Sequence, residues 1–439
     1  GLLVLILSLL IKIDMKKIKS ILIVGLLFLL ACQKSEKGNI SLVGDLYAKN
    51  VVGLPLDFQN GKENLEYIWY IGSSPTREWN QLPGIWTNEI VLLTSYVGNY
   101  IKCEITYNDQ DSDKKLTASV ISSAPVEYKG NANTDWFKDA GFGVMVHYLK
   151  EAIIPEGGAE EWNRTVDSFD VDKFAGQVHE AGAGFVMFTL GQNSGYYCSP
   201  NKAFDKAVGI KAGELCSKRD LPKDLIVALK KYDIPLILYL PSNPPINNKY
   251  VSEKLRYAFQ KDSATSQFNQ PILENMIEEW SLRYGNGVKG WWFDGLYSWN
   301  DIRSTRMDMS LKHNISTHTL AAKAGNKNSI VTYNSGFGKI HGNTPYDDYT
   351  SGEKSTIDEY PSSRWAEEGV QWFLFIYLGE KWGGHGQQFY TDSLLNKAGT
   401  IVDNNGLLCL EVVTDSKGEI LPGHFEQIKA VGDKLGNPR

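Results

Sequence analysis

Two textures of hydrophobic and polar positions divide this chain. From about Ile40 to Val126 the apolar residues come in short alternating runs broken by turn residues, as in "EYIWYIG", "EIVLLTS" and "NYIKCEITYND". A period of two marks half-buried strands, and no helical period interrupts it. After "KGNANTD" (129–135), a plausible linker, the pattern changes. Continuous apolar runs ("GFGVMVHYL", "GFVMFTL", "IPLILYLPS", "GWWFDG", "SIVTYNSG") alternate with amphipathic segments ("DVDKFAGQVHEAGA", "DLPKDLIVALKKYD", "QPILENMIEEWSLRYG"). Runs apolar on both faces read as buried parallel strands. The segments between them read as helices, one ending at Gly182 and one capped by Asp220 with Pro222 in its first turn. The pattern predicts an α/β fold, a TIM-like (β/α) barrel over residues 135–439, behind a small all-β domain over 39–128. No Gly-rich phosphate loop stands at any strand–helix junction, which argues against a dinucleotide site.

Within the β-domain, Trp69 and the strand "GNYIKC" (98–103) resemble the core Trp and Tyr-corner strand of an immunoglobulin-like sandwich. Only Cys103 lies there, so an inter-sheet disulfide is ruled out, and these residues look structural. Ahead of the domain, "MKKIKSILIVGLLFLLAC" has a basic start, a short apolar core and Leu29-Leu30-Ala31 before Cys32. This resembles a bacterial lipoprotein signal, with Met15 the expected start, residues 1–38 signal and tether, and Cys32 acylated. The apolar core is short for a spanning helix. The expected location is the cell envelope, periplasmic or at the surface, with the lipid anchor the sole membrane contact. Export would place Cys103, Cys198, Cys216 and Cys409 where disulfides can form. Their spacing suits no metal site; Cys198 and Cys216 could pair across one loop or stay free.

Composition adds two constraints. Net charge is −6, with both signs interspersed and no basic cluster in the body of the chain, which argues against nucleic acid as a partner. Aromatic residues make up 12%, including 12 Trp and 22 Tyr, which suits stacking on sugar rings as well as core packing. The chemistry to explain is "GVKGWWFDGLYSW", whose apolar run ends on Asp294. A charge at the end of a buried strand is costly unless paired, hydrogen-bonded or used. The C-terminal strand ends of a parallel barrel are where catalytic side chains sit, although an Asp there can also simply cap a turn.

Several segments occur in one order: "DWFKDAGFGVMVHY", the pair Glu161-Trp162, "DVDKFAGQVHEAGAGFVMFT", "RDLPKDLIVALKKYDIPLILYL", "GWWFDG" and a late Gly-Glu segment. That order, from about Asp135 to Leu435, resembles the α-L-fucosidases of glycoside hydrolase family 29. The resemblance implies removal of a terminal α-L-fucosyl or related residue from an oligo- or polysaccharide by retaining double displacement. No metal and no organic cofactor are implied. It makes Asp294 the nucleophile. The acid/base Glu falls in the loop "DDYTSGEKSTIDEYPSSRW", with Glu353 the best match, Glu359 the alternative and Glu380 a third. His147 matches a sugar-contacting strand-end His, and Glu161 and Trp162 a pair that holds a sugar hydroxyl and walls the pocket. Trp292 precedes the nucleophile in the same strand and joins the candidate sugar contacts. His179 reads as structural.

One departure is plain. Where the family carries a double-His motif, this chain has "TLGQNSGYYCSP". Gln192 and Asn193 are the candidate hydrogen-bonding replacements, and Tyr196 (or Tyr197) a stacking surface. Neutral amides supply no charge, so the sugar remains open. The alternatives are a hydrolase for another α-linked sugar, or a glycan-binding lipoprotein on a barrel that lost its chemistry.

Overall fold

A computed structural model describes residues 40–112, 114–256, 263–297 and 301–436. Cys32 and the proposed lipoprotein signal lie outside the described residues.

The N-terminal unit is all-β. Strands β1 (Val51–Gly53) and β4 (Glu89–Val91) form a two-stranded sheet. Strands β2 (Lys62–Gly72), β3 (Asn80–Gln81), β5 (Tyr100–Asp109) and β6 (Lys115–Ile121) form an antiparallel sheet in the order β3-β2-β5-β6. In β5 the inward set is Ile101, Cys103, Ile105 and Tyr107, as period-two alternation requires. Trp69 sits opposite Cys103, fully buried, and its indole N–H donates to the Thr87 carbonyl at 2.8 Å.

The second unit is a parallel sheet of seven strands: β7 (Phe142–Val146), β8 (Val186–Thr189), β9 (Leu236–Pro241), β10 (Val288–Asp294), β11 (Ile330–Tyr333), β14 (Phe373–Tyr377) and β15 (Leu407–Glu411). Two short strands, β12 (Trp365–Glu367) and β13 (Val370–Gln371), pair in a hairpin before β14. The order β11-β10-β9-β8-β7-β15-β14 leaves an opening between β11 and β14. Residues 348–354 run through it. The Asp348 N–H donates to the Val331 carbonyl on one side, while the N–H groups of Thr350 and Lys354 reach Gln371 and Phe375 carbonyls on the other. This irregular eighth segment completes a TIM-like barrel.

Both faces of the strands are covered, which is why they read as unbroken apolar runs. Helices Val171–Glu180, Leu221–Lys230, Ser263–Tyr284 and Ile315–Lys323 alternate with the strands from β7 to β11. The Asp220 carboxylate caps its helix as the sequence predicts, accepting from the Lys223 N–H, and Asp170 caps another by accepting from the Lys173 N–H. In β10, Trp291 and Phe293 stack on the helix side. Trp292 belongs to the barrel interior with Met145, Met187, Tyr239, Phe375 and Cys409. Phe137, from the helix Asp135–Asp139, plugs the opposite end, its ring 4.9 Å from that of Phe185. All four described cysteines are buried free thiols, Cys198 and Cys216 included.

Candidate active site

Strand parity places the site. In each strand the inward positions recur every second residue, so the next inward position past the packed interior opens onto the barrel mouth. Met145 is thus followed by His147, Trp292 by Asp294, Thr332 by Asn334, Ser351 by Glu353 and Cys409 by Glu411. Of these, His147, Asp294 and Glu353 line a cavity of about 300 Å³ with Gln192, Tyr239, Trp292, Tyr297, Phe375 and Trp382, among others, while Asn334 and Glu411 hydrogen-bond to the lining residues.

Asp294 is held by four donors. Its Oδ1 accepts from the Gly295 N–H (2.8 Å), the Tyr297 hydroxyl (2.9 Å) and Asn334 Nδ2 (2.8 Å), and its Oδ2 from the Tyr239 hydroxyl (2.5 Å). All four complement a carboxylate anion and fix its direction. Gly295 has φ +83°, and a Cβ there would stand 2.9 Å from the Asn243 amide, so only glycine turns the chain here. The apolar run therefore ends on a carboxylate that is fully hydrogen-bonded and faces a cavity.

Glu353 approaches from the irregular segment. Gly352 before it has φ +63°, and a Cβ would lie 2.2 Å from the Phe373 carbonyl oxygen, so glycine lets the segment press against β14. Asn334 joins the two acids: its Nδ2 donates to Asp294 Oδ1 at 2.8 Å and to Glu353 Oε2 at 2.7 Å. The two carboxylate oxygens can be no farther apart than the sum of those lengths, 5.5 Å. Burial first, and then the Asp294 charge, push the Glu353 carboxyl up to about 7.

This raised value has a stability consequence. The folded state holds the Glu353 proton more tightly than an unfolded chain at the ordinary 4.5. Its stabilising contribution is therefore complete below pH 4.5 and is lost as pH rises through about 7. Glu353→Gln removes that loss and keeps an acceptor for Asn334. Relative to the wild type, the variant should gain about 2–3 kcal/mol more at pH 8 than at pH 4.5. Denaturant titrations at both pH values check this, and an equal difference at each would refute the buried-acid assignment.

The floor and walls are largely aromatic. Trp292 stacks on Tyr239 (centroids 5.0 Å, 16° between planes), and its indole N–H is taken by the Ser351 carbonyl at 3.0 Å. Gln192 Nε2 donates to the Tyr239 hydroxyl at 2.6 Å, extending the chain of hydrogen bonds from Asp294. His147 Nδ1 pairs with Glu411 Oε1, which also accepts from the Gly383 N–H at 2.8 Å. The ring is thereby oriented with Nε2 free for the cavity. Trp382 forms part of the wall, with its Nε1 buried and without a partner.

Other sequence candidates lie elsewhere. Glu359 pairs with Lys354 (3.2 Å) and accepts from the Ile340 N–H (3.1 Å), outside the cavity. Glu380 is exposed on the loop beside Gly386. Glu161 is exposed against Gly157, while Trp162 points into the core, its ring tilted against that of Tyr148 and its indole N–H donating to the Tyr197 carbonyl at 3.0 Å. The helix Ala159–Asp167 turns its inner face to that core, so the pair does not wall the cavity. Of the loop after β8, Gln192 alone reaches the cavity. The Asn193 carbonyl accepts from the Asn247 N–H, and Tyr196 lies under the Lys150 ammonium at 5.4 Å. Asn334, Tyr239, Tyr297, Glu411 and Trp382 were not among the sequence candidates. Strand parity, applied to "SIVTYNSG", "IPLILYLPS" and "LLCLE", would have found the first, second and fourth.

A parallel barrel with two close carboxylates over an aromatic floor is the arrangement that glycosidases use. More particularly, the profile of the α-L-fucosidase family matches residues 159–437, and the chain belongs to that family. Solved structures share the fold. An α-L-fucosidase of glycoside hydrolase family 29 from Bacteroides thetaiotaomicron is 17% identical, with 70% of this chain and 75% of that one covered and a TM-score of 0.52. An α-L-fucosidase in complex with Fucα(1,6)GlcNAc is 16% identical, covering 70% and 98%, with a TM-score of 0.50. An endo-fucoidan hydrolase of family 107 is 14% identical, covering 70% and 64%, with a TM-score of 0.53. The chain spans from 54% to 64% of the length of three such endo-fucoidan hydrolases. No curated protein matches the chain.

Proposed function

We propose that the protein is a retaining glycoside hydrolase acting on an α-L-fucosyl or closely related residue of a glycan. The observation that carries this is the Asn334 bridge, which limits the separation of the Asp294 and Glu353 oxygens to 5.5 Å. Retaining enzymes need roughly 5–5.5 Å between the two carboxyl groups, whereas inverting ones leave about 6.5–9.5 Å for a water. Asp294 attacks the anomeric carbon while Glu353 protonates the departing oxygen, leaving a glycosyl ester on Asp294. Glu353, now a carboxylate, takes a proton from water, which attacks the same carbon and frees Asp294. His147 Nε2 and Gln192 are the groups that meet sugar hydroxyls, with the rings of Trp292, Phe375 and Trp382 among the aromatic lining. Proton NMR of the first turnovers tests the reading. Product of unchanged anomeric configuration is expected, and initial inversion would discard it.

A purely glycan-binding protein would need no second acid beside the first, so the pair favours the enzyme. A second reading, action within longer chains rather than on terminal residues, is favoured by one observation. A further cavity of about 380 Å³, lined by His385, Thr414, Asp415 and Ser416 among others, adjoins the first at His147, Ala152 and Gly383. If it holds a neighbouring sugar, Thr414→Trp should lower kcat/KM on a fucosyl oligosaccharide about tenfold and leave an aryl monosaccharide nearly unchanged. Equal kinetics on both would leave the terminal-residue reading alone. The β-domain is read as immunoglobulin-like from Trp69 and its strand partner Cys103, and the chain as a lipid-anchored envelope protein from its N-terminal segment.

A further inference from the structure

We propose that Lys49 of the β-domain is a positioning residue for Glu353, so that this domain is a working part of the catalytic unit. The inference rests on Glu353 being the acid/base.

Lys49 has φ +75°, an unusual conformation for a residue with a side chain, and is 3% exposed. Its backbone N–H is tied to the Leu92 carbonyl of its own domain (2.6 Å). Its ammonium crosses to the barrel and donates to the carbonyls of Pro345 (3.1 Å) and Asp347 (2.8 Å). Those carbonyls immediately precede the irregular segment that carries Glu353.

The neighbouring acids are spoken for by the barrel and the linker. Asp347 accepts from the N–H groups of Tyr333, Asn343 and Thr344. Asp348 accepts from the Val331 N–H, the Lys323 ammonium and, from the linker, Asn131 Nδ2 at 2.9 Å. This segment needs such ties because it forms no regular ladder; against β13 and β14 it makes only isolated bridges at Tyr349 and Glu353. An ordinary strand takes its register from consecutive pairs. Here the upstream end is placed by a few backbone bonds to Val331 and Gln371 together with side chains, two of them from outside the barrel. Displacing Glu353 by even ~1 Å would misalign proton delivery while leaving Asp294, on a regular strand, in place.

Lys49→Met and Asn131→Ala are compared with Glu353→Ala in the full-length protein, on aryl glycosides with poor and with acidic leaving groups. A general acid matters mainly for the poor ones. Lys49→Met is expected to lower kcat/KM about 30-fold on a phenyl glycoside and less than about threefold on a dinitrophenyl glycoside. Asn131→Ala should follow with the same selectivity and a smaller loss, and it decides alone if Lys49→Met does not fold. Equal losses on both substrates in the folded variant, or none, overturn the proposal. If Glu353→Ala itself shows no leaving-group selectivity, the acid/base assignment has failed and the positioning role falls with it. Selectivity in Glu353→Ala without it in the other two refutes the positioning role alone.

Discussion

Asp294→Asn is expected to lower kcat on the order of 10⁴-fold or more, about 5.5 kcal/mol of transition-state stabilisation, while the affinity for sugar changes little. The side chain stays the same size and keeps oxygen for some of its four donors, so the fold and floor should persist. What disappears is the anionic oxygen that forms the bond to the anomeric carbon. In the proposed reading, sugar hydroxyls are met by other groups, His147 and Gln192. Binding by calorimetry, set against turnover of an activated aryl glycoside, separates the two effects. Near-normal turnover would remove Asp294 from the mechanism; loss of binding together with turnover would make its role structural.

The second large effect is at Glu353. With its carboxyl pushed up to about 7, it is a proton donor at neutral and lower pH. For substrates with poor leaving groups, kcat/KM should therefore fall as pH rises through about 7, because the acid form is the one used. Glu353→Ala should abolish that limb and cost about 10²–10⁴-fold on such substrates. On an acidic phenol the first step survives and the glycosyl ester accumulates. Azide, which needs no general base, should then restore turnover and yield a glycosyl azide of retained configuration. A variant that keeps the basic limb, or gains nothing from azide, would return the role to another group. Glu359 is a poor successor, since Lys354 and the Ile340 N–H already occupy it outside the cavity.

Some of the site was legible because it follows from strand periodicity. A charged residue closing a doubly buried run, as Asp294 closes "GWWFD", stands at a strand's mouth end whatever surrounds it. His147 is legible for the same reason. Glu353 could be reached only through family resemblance, because its segment has no strand pattern: "DDYTSGEK" reads as loop, and its Gly352 as a turn. The pair Glu161-Trp162 shows the opposite case. As adjacent residues on a helix they face different ways, and no local signal says which face meets the cavity. Asn193 and Tyr196 are of the same kind, since direction in an irregular loop depends on what packs against it.

Local chemistry by itself determined the alternation of buried strands and capped helices, and the all-β texture of the first domain. It also determined the placing of Asp294 and His147 at strand ends. Those follow from side-chain volume, polarity and period within a few neighbouring residues. Tertiary structure alone decided which acid stands beside Asp294, because that depends on Asn334, forty residues on, donating to both. It alone decided that Glu411, on the neighbouring strand β15 but far away in sequence, orients His147. It alone brought Lys49, some three hundred residues away in sequence, under the segment that carries Glu353. A carboxylate's partner and protonation state are set by the burial and charge around it in space, and distance along the chain carries no record of either.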